Sequence, residues 1–187
     1  GRIFTGDYER RTVSPMNFAN PHPNRVLALS KDERYLAVGT DSPAVQIINL
    51  QQSTRPVEIR SLKGPTNALA FLPDNSALIA AKGDKSIVVI DYKTGKSRTL
   101  TSLSFEIKSM SLSPDGKYLA SGDVNNGVSI WNLAAPPGPG GEVRASLLNL
   151  RGHTGRENRP EALVWHVSYS PDGLLLISAG GDTKTYL

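Results

Sequence analysis

A four-residue phrase recurs at nearly fixed spacing along this chain, and that recurrence limits its architecture more than any other feature. Ser30-Lys31-Asp32-Glu33, Leu72-Pro73-Asp74-Asn75, Ser113-Pro114-Asp115-Gly116 and Ser170-Pro171-Asp172-Gly173 each separate two apolar alternating runs. The aspartates lie 42, 41 and 57 residues apart, so the chain consists of repeated supersecondary units. The longer interval holds two extra stretches, AAPPGPGG at 134–141 and GRENRPE at 155–161, whose removal restores about one period.

Inside each period the apolar residues alternate with the two-residue spacing of strands, and turn residues stand between the runs. The third copy predicts strands over 107–113, 118–122 and 128–133, followed by a more polar fourth. The second predicts 67–72, 77–81, 86–92 and 96–100, and the first 26–30, 35–39, 45–50 and 56–62. Four short antiparallel strands per period make one propeller blade. The predicted fold is therefore all-β, a β-propeller of four-stranded antiparallel blades with about four blades in the chain. With only two tryptophans and four phenylalanines, its core has to be mainly aliphatic.

The residues resemble the WD-repeat β-propellers. The resemblance rests on SPDG followed by YLASGD (118–123) and VSIWNL (128–133), on SPDG followed by LLLISAGGD (174–182), and on Gly152-His153. It covers nearly the whole chain. The family's Trp-Asp pair stands here as Trp131-Asn132, Ile90-Asp91 and Ile48-Asn49, and a single copy carries the Gly-His pair. The resemblance implies a hydrogen-bonded structural network within a blade, supplied by His153, Ser178 and Asp182 in the last copy and by Ser121 and Trp131 in the third. Ser, His and Asp together also fit a hydrolase, but no G-x-S-x-G elbow precedes the serine and the repeats account for all three. His22 and His166 have no acidic or cysteine neighbours at metal-ligand spacing. No metal and no cofactor are expected.

Counting back one period from positions 48, 90 and 131 puts the preceding Trp-equivalent at Gly6-Asp7, with a third strand at 2–5 and a fourth at 9–14. At the other end 183–187 begins a third strand. The division is 1–14 for the second half of a blade, then full blades over 15–64, 65–106 and 107–163, then a partial blade over 164–187. Gly1 is not an initiator methionine, and a piece of a longer multidomain protein is the expected origin. Strand edges left open at both ends invite pairing. Further blades of a parent chain would cover them, as would a homodimer closing an eight-bladed ring, or a four-bladed closure within one copy.

Function in such a fold comes from its surfaces. The residue five before each turn serine or its equivalent is Arg25, Asn67, Lys108 and Trp165, where family blades begin at the channel rim that commonly engages partners. Three polar residues and one tryptophan suit a protein or peptide partner; polar side chains also suit a water-filled channel, and both readings stand. The second insertion carries Arg156 and Arg159, with Arg151 nearby, a set able to bind a carboxylate or phosphate or to form a solvated loop. Asp32, Asp74, Asp115 and Asp172 are accounted for by turns. The net charge of +4 is dispersed, which argues against nucleic acid. No apolar run approaches the ~18 residues of a membrane helix, so no membrane is expected. The absence of cysteine suits a reducing compartment, and the expected location is cytoplasmic.

The reading is a noncatalytic protein-interaction scaffold, not an enzyme, of the kind that by resemblance forms the docking part of larger signalling proteins. The alternatives are a lactonase-like or metal-dependent propeller enzyme, and an isolated half-propeller that self-assembles.

Overall fold

A computed structural model describes residues 2–7, 9–52, 55–60, 62–135, 148–155 and 163–187. Among the described residues, seventeen strands form five antiparallel sheets. Strands β1 (Arg2–Asp7) and β2 (Thr12–Ala19) make a two-stranded sheet. Three four-stranded blades follow: β3 (Asn24–Leu29), β4 (Tyr35–Thr40), β5 (Val45–Asn49) and β6 (Val57–Ile59); β7 (Thr66–Phe71), β8 (Leu78–Lys82), β9 (Ser86–Asp91) and β10 (Lys96–Ser102); and β11 (Ile107–Leu112), β12 (Tyr118–Asp123), β13 (Gly127–Asn132) and β14 (Leu148–Arg151). The last sheet holds β15 (Val164–Tyr169), β16 (Leu176–Gly180) and the two-residue β17 (Thr185–Tyr186).

These are the expected blades, with strand ends that differ for local reasons. β2 runs on through Pro15 to Ala19, where the sequence predicted an end at Ser14. Proline is tolerated there because β2 pairs only with β1, and an edge strand has amides that need no ladder partner. The last third strand starts at Thr185 rather than Thr183, because Thr183 takes φ 63° in the turn before it.

The repeated turns are closed by their own side chains. Ser30 and Ser113 donate to Asp32 and Asp115 at 2.6 Å, while each serine oxygen accepts the amide of Tyr35 or Tyr118 at 2.9 Å. These bonds, led by the serine donor, hold both carboxyls below the usual aspartate range. The fourth turn residue is left-handed in every copy: Glu33, Asn75, Gly116 and Gly173 have φ of 58°, 56°, 72° and 74°. Successive turns also stack. The Lys31 amide donates to Asn75 Oδ1 at 3.0 Å, and a Cβ on Gly116 would stand a tight 3.0 Å from the Pro73 ring, so positive φ and close approach both favour glycine there.

Packing is between blades, as the strand pleat dictates, since alternate residues face opposite neighbours. Ile3 packs with Val38 and Ile48; Ala37, Ile47, Leu78 and Ile90 join the first and second blades; Ile79, Ile87, Leu119 and Trp131 join the second and third. Ala120, Val128, Val164 and Val167 join the third blade to the last sheet. Tyr92 links turn to core, packing edge-on against Phe71 and donating to the Asn75 carbonyl at 2.7 Å.

Candidate functional site

Strands β3, β7, β11 and β15 are the innermost of their blades, and all four carry a bulge at one position. Pairing shifts between Asn24 and Val26, Thr66 and Ala68, Ile107 and Ser109, and Val164 and His166. The extra residues are Arg25, Asn67, Lys108 and Trp165, the four named from sequence. A bulge releases a side chain from strict alternation and re-aims it, and the same irregularity recurs at these four positions.

The structure adds two carboxylates to the row. Arg25 Nη1 lies 2.6 Å from Asp41 Oδ1, and both side chains are well exposed. Lys108 Nζ donates to Glu106 Oε1 at 2.9 Å, and Asn67 Nδ2 reaches the same oxygen at 2.7 Å. Burial pushes the Glu106 carboxyl up, but the Lys108 and Asn67 bonds outweigh it and the net pKa is lowered. Asn67 Oδ1 is buried with no partner among the described residues. Trp165 is 53% exposed beside them. Sequence reasoning missed Asp41 and Glu106, although Glu106 and Lys108, two apart, already carry the spacing of strand neighbours. Arg156 and Arg159 lie outside the described residues, and for Arg151 only its place in β14 is described.

Lys82 was also missed. It is wholly buried at the end of β8, donating to the Pro43 carbonyl at 3.0 Å and to Thr66 Oγ1 at 2.6 Å, and so ties the first blade to the second. Burial pushes its pKa down to about 8, with Asp84 opposing.

The structural network forms in two separate places. In the third blade Trp131 Nε1 donates to Ser121 Oγ at 3.0 Å, with Ser121 fully buried. In the last sheet His153 Nδ1 is 2.9 Å from Asp182 Oδ1, and Nε2 is 2.9 Å from Ser178 Oγ. Burial pushes Asp182 up, but the Thr154 amide, His153 and the Lys184 amide together hold it at about 2. The ionised carboxylate only accepts, so His153 donates to it from Nδ1, and in that tautomer Nε2 accepts a hydrogen bond from the Ser178 hydroxyl.

That connectivity is also the connectivity of a hydrolytic triad. Acyl transfer further needs paired donors aimed at an oxyanion. Ser178 instead sits in the middle strand of its sheet, paired with Val167 and Tyr186, where the neighbouring amides serve the ladders. Among the described residues no three His, Asp or Glu side chains converge to hold a metal.

The order of strands, turns and network is matched by known proteins. The family description "WD domain, G-beta repeat" fits residues 96–132 and 144–187, the two repeats that carry Trp131 and His153. These two segments are WD repeats. It is 26% identical over 132 residues to WD repeat-containing protein SL1-17 of Schistosoma mansoni, covering 71% of this chain and 44% of that one. It is 32% identical over 109 residues to anaphase-promoting complex subunit cdc20 of Dictyostelium discoideum, covering 57% of this chain and 21% of that one. Similarity to actin-interacting protein 1 of Caenorhabditis elegans is 27% over 116 residues, covering 59% and 19% respectively. The chain thus spans less than half the length of each of these relatives. Within a WD repeat the position of His153 is five residues ahead of Trp165 once the second insertion is set aside, and the earlier repeats hold Asn20, Leu62 and Leu103 at the same distance before Arg25, Asn67 and Lys108. All but Leu103 are buried, so the earlier repeats keep the packing of the position without its histidine.

Proposed function

We propose that this WD-repeat chain is a noncatalytic protein-interaction platform whose partner engages the rim at the start of the innermost strands. The observation that supports this reading is the bulge repeated in all four strands at Arg25, Asn67, Lys108 and Trp165. An exposed tryptophan beside ion pairs is the kind of anchor that contributes most to protein interfaces. The exposed Arg25–Asp41 pair is worth at most about 1 kcal/mol, so a partner carboxylate can exchange for Asp41 at little cost. Two relatives are named for a multisubunit complex and for an interaction with actin, which supports a partner-binding role of the same general kind. Trp165→Ala should lower the amount of partner recovered by affinity capture about tenfold or more while leaving the melting temperature within about 2 °C of wild type. Undiminished capture would place the partner elsewhere.

A second reading concerns the open ends. The far edge of β16 is met only by the two residues of β17, and β1–β2 stands as a two-stranded sheet. Phe4, Leu27 and Leu29 are exposed at one end and Leu175, Ile177 and Leu187 at the other. In a homodimer the β1–β2 sheet of one copy would extend β15–β16 of the other to four strands once β17 yields, giving an eight-bladed ring. Light scattering should then report a stable mass near twice 20.1 kDa; a monomer across the concentration range would rule the ring out.

A further inference from the structure

Lys82 ends a strand whose alternate residues face different blades. Leu78 and Ala80 pack toward the first blade and Ile79 and Ala81 toward the third, so Lys82 continues the row that faces the first. It is wholly buried, and an ammonium in that place has to find acceptors. It takes one from each blade, the Pro43 carbonyl at 3.0 Å and Thr66 Oγ1 at 2.6 Å. Thr66 is itself pressed on the first blade, since a Cβ on Gly39 would stand 2.7 Å from the Thr66 side chain.

Both acceptors adjoin the bulged residues. Thr66 pairs with Lys82 across the ladder and immediately precedes the bulge at Asn67. Pro43 lies two residues beyond Asp41, in the loop between β4 and β5, and Asp41 is the carboxylate that holds Arg25. By register the counterparts of Lys82 in the first and third blades are Thr40 and Asp123. These have bonds within their own loops, Thr40 to Ser42 and Asp123 to the amides of Asn125 and Gly127. Of the charged groups near Lys82, Asp84 belongs to its own turn and opposes the cost of burial. Asp41 is taken by Arg25, and Glu106 by Lys108 and Asn67.

We propose that Lys82 is a positioning residue for the rim: its ammonium holds the Asp41 loop of the first blade against Thr66 of the second, fixing the Arg25–Asp41 pair relative to Asn67, and loss of its proton relaxes that arrangement. As a control on partner binding this rests on the rim being the partner surface; the tie between the blades stands apart from it. Hydrogen bonds from a charged donor are roughly twice as strong as neutral ones, and a neutral amine offers a lone pair that can accept the Thr66 hydroxyl. Burial brings the change within reach, because it pushes the Lys82 pKa down to about 8 against the opposing pull of Asp84. The relaxation is local and is not the onset of unfolding. Between about pH 8 and the ordinary 10.5 the unfolded chain binds more protons than the folded one, so this group raises stability as pH rises.

The test is a carbon-detected NMR titration of the full 187-residue chain between about pH 7 and 10, following Lys82 Cε, the Thr66 methyl, the Asp41 carboxyl carbon and the Asn67 side-chain carbonyl carbon. All four signals should move with one midpoint near pH 8. Lys82→Met, which keeps the stem and removes the donors, should abolish that midpoint at Thr66, Asp41 and Asn67. Over the same range the urea midpoint of the wild type should rise relative to that of the variant. The wild-type titration decides the proposal even where the variant does not fold. A midpoint shared by Lys82 and Thr66 but absent at Asp41 and Asn67 would make Lys82 a local tie and overturn the positioning role. No titration of Lys82 across the range, or the same midpoint at Asp41 and Asn67 in a folded Lys82→Met chain, would overturn it as well. Partner capture by Trp165→Ala reads separately: lost capture without a shared midpoint keeps the rim and removes Lys82 from it, whereas a shared midpoint with undiminished capture keeps the coupling and removes its bearing on a partner.

Discussion

Replacing Trp131 by alanine should lower the unfolding free energy by about 3–5 kcal/mol, read from urea denaturation. Trp131 is 4% exposed and packs in the cluster that joins the second and third blades, so truncation both removes buried apolar surface and opens a void against Ile87 and Leu119. It also strands the Ser121 hydroxyl, which is fully buried and accepts the indole N–H. Trp131→Phe separates the two effects. Phenylalanine keeps most of the packing but not the donor, so a loss of about 1–3 kcal/mol is expected from the unsatisfied hydroxyl and the smaller ring. A loss below 1 kcal/mol for the alanine variant would mean that the blades do not meet around this side chain.

His153→Ala should cost about 3 kcal/mol, for a different reason. Its side chain and that of Asp182 are 2% and 3% exposed, and removing the imidazole leaves a buried carboxylate with only the Thr154 and Lys184 amides. Replacing His153 by leucine and Asp182 by alanine together should be milder than His153→Ala alone, because no charge is then left in the interior. Leu62 and Leu103 already hold the equivalent position in the second and third blades. Asp182 further gives the fold an acid limit. Its pKa is about 2 against an ordinary 3.8, so its contribution is complete above about pH 4 and is lost as pH falls toward 2. Wild-type stability measured between pH 5 and 2 should therefore fall more steeply than that of the double variant. Parallel curves would show that Asp182 is not held by this network.

The blades and their turns were legible in the sequence because each depends on spacing within one repeat, and both halves of the buried network were implied by the resemblance to WD repeats. Alternation with period two assigns strand faces, and a serine two residues before an aspartate closes a turn whatever lies beside it. Strand ends were less legible where an edge strand accepted Pro15 or where Thr183 took a left-handed turn. The rim was legible as a row of positions, but its chemistry was not. Asn67 meets Glu106 across 39 residues of sequence, and Lys82 reaches Pro43 across the same distance. Nothing local to either residue specifies that meeting.

What the sequence alone determined is thus the repeating unit: four strands and a turn closed around an aspartate. Only the tertiary structure decided how neighbouring units face one another. It brought Arg25 to Asp41 and Lys108 to Glu106, and buried Lys82 between blades. The physical reason is that strand alternation is set by adjacent residues, whereas blade-to-blade packing depends on bulges and register at positions one full repeat apart.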